Sequence, residues 1–170
     1  RENTRKIKKQ ARKFLGPPDV AIVLAATLRK MRNSFDFILI DTSHKAAETS
    51  TFCAMSASDW IVPVVDTSES SYKALEKVLE DKKLVMDTAN AFLQCMGVVI
   101  NLARDTKEAT RKHHQLTDRP ILGMVRPDAS GVTDMEAPTG STARVDFDQL
   151  ASEVIDRAAK RGSSGHSVEE

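Results

Sequence analysis

The chain has 170 residues and 18.7 kDa, room for one domain with a real core and too little for two ordinary ones. Hydrophobic residues make up 41% and charged residues 29%, which argues against wholesale disorder and against a fibrous chain. With 25 Lys+Arg against 24 Asp+Glu the net charge is +1, so no global field points to nucleic acid or to an acidic substrate, and any basic surface is local. The longest apolar run, Val20 to Ala26, is about a third of the roughly 20 residues that a membrane-spanning helix needs. Cys53 and Cys95 sit in apolar surroundings at no metal or redox spacing and read as reduced core thiols of a cytoplasmic protein. No charged-then-apolar leader is present. The first residue is Arg1 rather than methionine, and the expectation is that residues precede it.

In chain order, the opening RENTRKIKKQARK is a local basic stretch with seven basic residues against Glu2. Gly16-Pro17-Pro18 breaks it, Asp19 suits an N-cap, and Val20 to Met31 is apolar almost all round, as expected of a helix buried between other elements. Four continuous apolar runs follow: FDFILID (Phe35 to Asp41), WIVPVV (Trp60 to Val65), MGVVINL (Met96 to Leu102) and ILGMVR (Ile121 to Arg126). Unalternated runs of this kind predict strands of a parallel sheet covered on both faces. Pro63 donates no ladder hydrogen bond, so the second run should lie at an edge or carry an irregularity. Between the runs, Leu75, Val78, Leu79, Val85, Met86, Ala89 and Leu93 form one apolar stripe and predict a helix over Glu69 to Leu93. Asp105 with Glu108 reads as a capping box opening a helix that ends before Pro120. The last helix is expected over Asp146 to Arg161, stopped by Gly162. Strand and helix in strict succession give a three-layer α/β/α fold with a mainly parallel sheet: one domain over 1–161, and a polar tail over 162–170 expected to be disordered.

Ligands of open α/β sheets bind beyond the carboxyl ends of the strands, where helix N-termini and short loops converge. The residues at those ends are Asp41-Thr42-Ser43-His44, Asp66-Thr67-Ser68-Glu69, Asn101 with Arg104, and Pro127-Asp128. An acid closing a buried strand and followed by hydroxyl residues is how nucleotide hydrolases hold a hydrated Mg²⁺ and orient the attacking water. Asp41 is therefore the leading catalytic candidate, although an acid there also serves as a plain helix cap.

FDFILIDTSH, SASDWIVPVV, MGVVINLARD and ILGMVRPD, with Val132 and Ala137 behind, resemble in order and interval the later portion of the ParA/MinD group of deviant P-loop ATPases. The resemblance runs over Phe35 to Ala137. It implies that Asp41 helps organise Mg²⁺ and water beside the γ-phosphate of ATP and that Thr42 and Ser43 lie in the segment sensing that phosphate. It also implies that Asn101 hydrogen-bonds the adenine base and that Pro127 and Asp128 pack on the base from its other side. For partners it implies an ATP-bound homodimer, non-specific DNA and an adaptor protein, in DNA partition or cargo positioning. The sequence departs from the group at His44 and Lys45, where proline is usual after the acid. None of the seven glycines begins a G-x-x-x-x-G-K-[ST] phosphate loop. An ATPase fragment lacking its phosphate loop is the expectation, inactive alone. A non-catalytic interaction module or degenerate relative is the alternative, and an unrelated small-molecule enzyme on a doubly wound sheet is a third reading.

The lesser signals are weaker. The basic opening suits DNA phosphates, and a run of this kind also suits a solvated helix face. His113 and His114 are adjacent on a helix, point to different faces, and are expected on the surface. Trp60 and Tyr72 read as packing residues. Ser43, His44 and Asp66 lack the Gly-x-Ser-x-Gly elbow of a hydrolase triad.

Overall fold

The computed structural model describes residues 18–42, 49–127 and 141–164. In chain order the elements are α1 (Pro18–Met31), α2 (Thr49–Ala57), β1 (Trp60–Ile61), β2 (Val64–Val65), α3 (Glu69–Thr88), β3 (Gln94–Cys95), β4 (Val98–Asn101), α4 (Thr106–Leu116), β5 (Ile121–Val125) and α5 (Thr142–Ser164). The class is α/β with parallel strand pairing. The described residues group into two compact units, one drawn from residues up to Ile61 with Lys73–Gln94, the other from Val62–Tyr72 with Cys95 onward.

The first unit is built around Phe52, Met55, Val85 and Leu93, with Ile61, Val78, Leu84 and Met86 packed against them. The α3 stripe read from the sequence supplies Val78, Val85 and Met86, but the helix ends at Thr88, and Leu93, expected on it, reaches this core from beyond its end. β1 pairs with β3, and the Gln94 N–H donates to the Asp59 carbonyl at 3.1 Å. Past the end of α3, the Asn90 carboxamide donates to the carbonyls of Ser58 (2.7 Å) and Met55 (3.3 Å), satisfying two acceptors at the end of α2. On the surface, Arg32 Nη2 donates to both Asp59 carboxylate oxygens, at 2.9 and 3.1 Å.

Two expectations fail in this unit. Phe35 to Asp41 forms no strand and pairs with no strand among the described residues, with Phe35 56%, Phe37 47% and Leu39 89% exposed. Its composition is that of a strand covered on both faces, yet among the described residues nothing supplies the neighbouring ladder, and propensity alone makes no sheet. α1, expected to be buried all round, leaves Val20, Ile22 and Val23 half or more exposed, while Leu28 is buried.

The second unit is a three-stranded parallel sheet in the order β2-β4-β5. Val64 and Val65 of β2 align with Val99 and Ile100, and Val99, Ile100 and Asn101 align with Gly123, Met124 and Val125. Val65, Val98, Val99, Ile100, Leu122 and Val125 are buried. The run WIVPVV divides at Val62-Pro63 into β1 and β2, which belong to different sheets, the irregularity that Pro63 predicts. Pro63 still serves as an acceptor, its carbonyl taking the Val99 N–H at 2.9 Å.

α4 begins at the predicted cap: Asp105 Oδ1 accepts from the backbone of Lys107 (2.9 Å) and Glu108 (3.0 Å). The last helix begins four residues earlier than expected, at Thr142, where the Ser141 hydroxyl accepts the Arg144 N–H, and it runs past Gly162 to Ser164. Gly162 therefore does not terminate it. The tail beyond Ser164 lies outside the described residues.

Gly97 connects β3 to β4 at φ +145°, a conformation that side chains strain to adopt. A Cβ there would stand 3.0 Å from both Leu122 Cβ and the Pro120 carbonyl oxygen. Gly97→Ala is expected to cost about 2 kcal/mol by combining backbone strain with this crowding. Urea unfolding checks it: an unchanged midpoint would mean the connection is not held this way.

Candidate functional site

At the carboxyl end of the second unit's sheet, Asn101 closes β4 and Val125, its register partner, closes β5. Asn101 Oδ1 accepts the N–H of Leu102 at 3.0 Å, and Leu102 stands at φ +59°, in the left-handed region that a bulky residue rarely enters. The Ala103 N–H then returns to the Val125 carbonyl at 3.1 Å, fixing the turn against the neighbouring strand. The Asn101 side chain is thus set by a strained turn, with its amide donors turned to no described residue.

Its direction follows from the register. A Cβ on Gly123 would meet Leu150 Cδ1 of α5 at 2.9 Å, so that face of β5 is the one α5 covers. Val125, two residues on, lies on the same face, and so does its partner Asn101. The first turn of α5 brings Asp146 to this end. Asp146 is 5% exposed and accepts from Arg126 three times: the backbone N–H (2.9 Å), Nε (3.0 Å) and Nη2 (2.7 Å). Burial pushes the Asp146 carboxyl upward, but the hydrogen bonds and positive charge of Arg126 outweigh it and hold the acid below its ordinary range. The next residue, Pro127, is half-buried.

The other predicted rim positions differ in role. Asp66, after β2, accepts the Ser68 hydroxyl and the Ser68 N–H (2.8 Å), which keep its carboxyl below the usual value. The Ser68 hydroxyl in turn accepts the Ser71 N–H at 3.2 Å, so this sequence opens α3. In the first unit, Asp41 and Thr42 follow the Phe35–Ile40 run and both are exposed. A single exposed carboxylate beside a hydroxyl suits Mg²⁺ held through water, because that hard cation keeps most of its hydration. Ser43 and Asp128, the other two candidates, lie outside the described residues, as does His44 of the discarded triad.

His113 is not a surface residue. It is fully buried, its Nε2–H donating to the Arg119 carbonyl at 2.7 Å, which leaves Nδ1 to accept the Tyr72 hydroxyl at 3.2 Å. Burial and the charge of Asp66 push the Tyr72 hydroxyl pKa up. His114, one position on, is exposed as expected. The signal was present in the sequence: His113 stands four residues after Ala109, on the buried stripe of α4. The Arg126–Asp146 pair was also missed, because a contact between residues 20 positions apart has no local signature. Cys53 and Cys95 are both free, Cys53 buried and Cys95 partly so.

Among the described residues no group of three or more His, Cys, Asp or Glu is placed to share a metal ion, and no helix is long and apolar enough to cross a membrane. No curated protein matches the chain. The model of a family described as an AAA domain matches residues 4–95, more than half of the chain. The chain therefore belongs to that AAA-domain family, a group of P-loop ATPase-like proteins that bind nucleotide.

Proposed function

We propose that the chain is part of a ParA/MinD-type ATPase, of the kind that positions DNA or other cargo, whose phosphate loop is not among these 170 residues. The observation that carries this is the β4–β5 rim, where a strained turn holds a carboxamide whose donors meet no described residue beside the strand that leads into Pro127. Such a carboxamide is suited to an adenine edge, which offers ring-nitrogen acceptors and an amino donor. The Phe35 to Asp41 run supports the same reading: its exposed apolar side chains, with no strand partner among the described residues, fit a strand of a sheet covered on both faces.

In this reading Asn101 and Pro127, with Asp128 next in the chain, hold the base. Asp41 is the acid that takes hydrated Mg²⁺ and orients water, and Thr42 and Ser43 respond to the γ-phosphate. Mg²⁺ supplies charge neutralisation at the phosphates when bound. An ATP-dependent homodimer, non-specific DNA, an adaptor protein and a cytoplasmic setting belong to the same proposal.

The chain alone lacks the backbone cradle and the lysine that offset charge developing on the phosphates. Its Mg²⁺-dependent ATP turnover is expected to fall at least about a hundredfold below that of the same chain joined to a phosphate loop. Ordinary turnover by the isolated chain would refute this assignment of parts. The exposed Phe35, Phe37 and Leu39 favour a second reading, a non-catalytic module that docks a partner through this run. Thermal melts separate the two: the ATPase reading expects stabilisation by millimolar Mg²⁺ and ATP, and the module expects none.

A further inference from the structure

The Arg126–Asp146 pair is built more firmly than a surface ion pair. The carboxylate is 95% removed from solvent by its place in the first turn of α5, while 42% of the Arg126 side chain stays exposed. Two of the three hydrogen bonds fix the guanidinium plane from one edge, and the third fixes the backbone on which that side chain stands. A guanidinium held by its edge keeps its flat faces available, and a planar cation of this kind stacks well on an aromatic ring. Asp146 stands one turn before Leu150 on α5, the helix that the Gly123–Leu150 contact and the Asn101–Val125 register put over the face bearing the Asn101 side chain, and its hydrogen bonds hold Arg126 at that helix. Arg126 also sits immediately before Pro127.

We propose that Asp146 is a positioning residue that holds the Arg126 guanidinium as a stacking surface for a purine base whose edge Asn101 engages. This rests on the nucleotide reading given above and adds to it the parts that fix the base face. The carboxylate touches no ligand and acts only through Arg126. Lysine at 126 would keep the charge and one contact to Asp146 but present no plane. Asparagine at 146 would keep the shape and lose the charge-assisted fork.

The test compares two probes on the full chain, adenosine monophosphate and ribose 5-phosphate, which share sugar and phosphate and differ by the base. The Leu102 amide resonance is followed in wild type, Asp146→Asn and Arg126→Lys. Wild type is expected to prefer adenosine monophosphate, and each variant to lose about tenfold of that preference while its weak affinity for ribose 5-phosphate is unchanged. A merely structural role for the pair would weaken both probes together. Preference retained in both variants, or equal weakening of both probes, would overturn the positioning role and leave the nucleotide reading standing. No preference in wild type would overturn the nucleotide reading itself. Should Asp146→Asn fail to fold, Arg126→Lys decides alone.

Discussion

Ile100→Ala is expected to cost the second unit about 2–5 kcal/mol, the usual range for emptying a fully enclosed aliphatic site. Ile100 is 0% exposed in β4, the middle strand, flanked in register by Val65 of β2 and Met124 of β5. Neighbours held on both sides by ladder hydrogen bonds collapse poorly into the space left behind, which places the expected loss in the upper half of that range. Because Asn101 is the next residue, the substitution should also disturb the Leu102 turn. Denaturant unfolding gives the loss directly, and a change below about 1 kcal/mol would mean that the strand is not enclosed in solution.

The second large effect depends on pH. Asp146→Asn is expected to cost about 2 kcal/mol at neutral pH, since it replaces a carboxylate accepting three hydrogen bonds by a neutral group, and the partial exposure of Arg126 limits the loss. The folded-state acid titrates below its ordinary value, whereas the unfolded chain titrates near 4. Between those two values the unfolded state binds more protons, so the contribution is complete above about pH 4 and disappears as pH falls through the folded value. Protonated Asp146 resembles asparagine, so the stability gap between wild type and variant should close in acid. The lowered carboxyl of Asp66 is present in both proteins and cancels from the difference. Parallel melting-temperature curves from pH 6 to pH 2 would contradict this account of the pair.

The sequence disclosed what is periodic or local. The α3 stripe, the Asp105 cap, the apolar runs that became β4 and β5, and the break at Pro63 each follow from side-chain spacing or from one residue's backbone chemistry. Phe35 to Asp41 went the other way, because its residues have strand propensity but a strand also needs a neighbour, and none is described there. Gly162 failed as a stop because α5 continues through it. His113 is buried where the absence of a third ligand pointed to the surface, because its position four residues from Ala109 puts it on the inward stripe of α4.

For the candidate site, the position of Asn101 at a strand end could be read from the run that precedes it. The left-handed Leu102 and the Asp146 brace could not, since one is a backbone conformation at an ordinary leucine and the other joins residues 20 apart.

Recognition of an adenine nucleotide by the β4–β5 rim is tested directly by nuclear magnetic resonance on the ¹⁵N-labelled chain. With Mg²⁺ and ATP added to millimolar concentration, the Asn101 side-chain amide and the Leu102 N–H should shift together along one saturable curve, and GTP at equal concentration should move them far less. Resonances that stay in place, or that respond equally to both nucleotides, would contradict it.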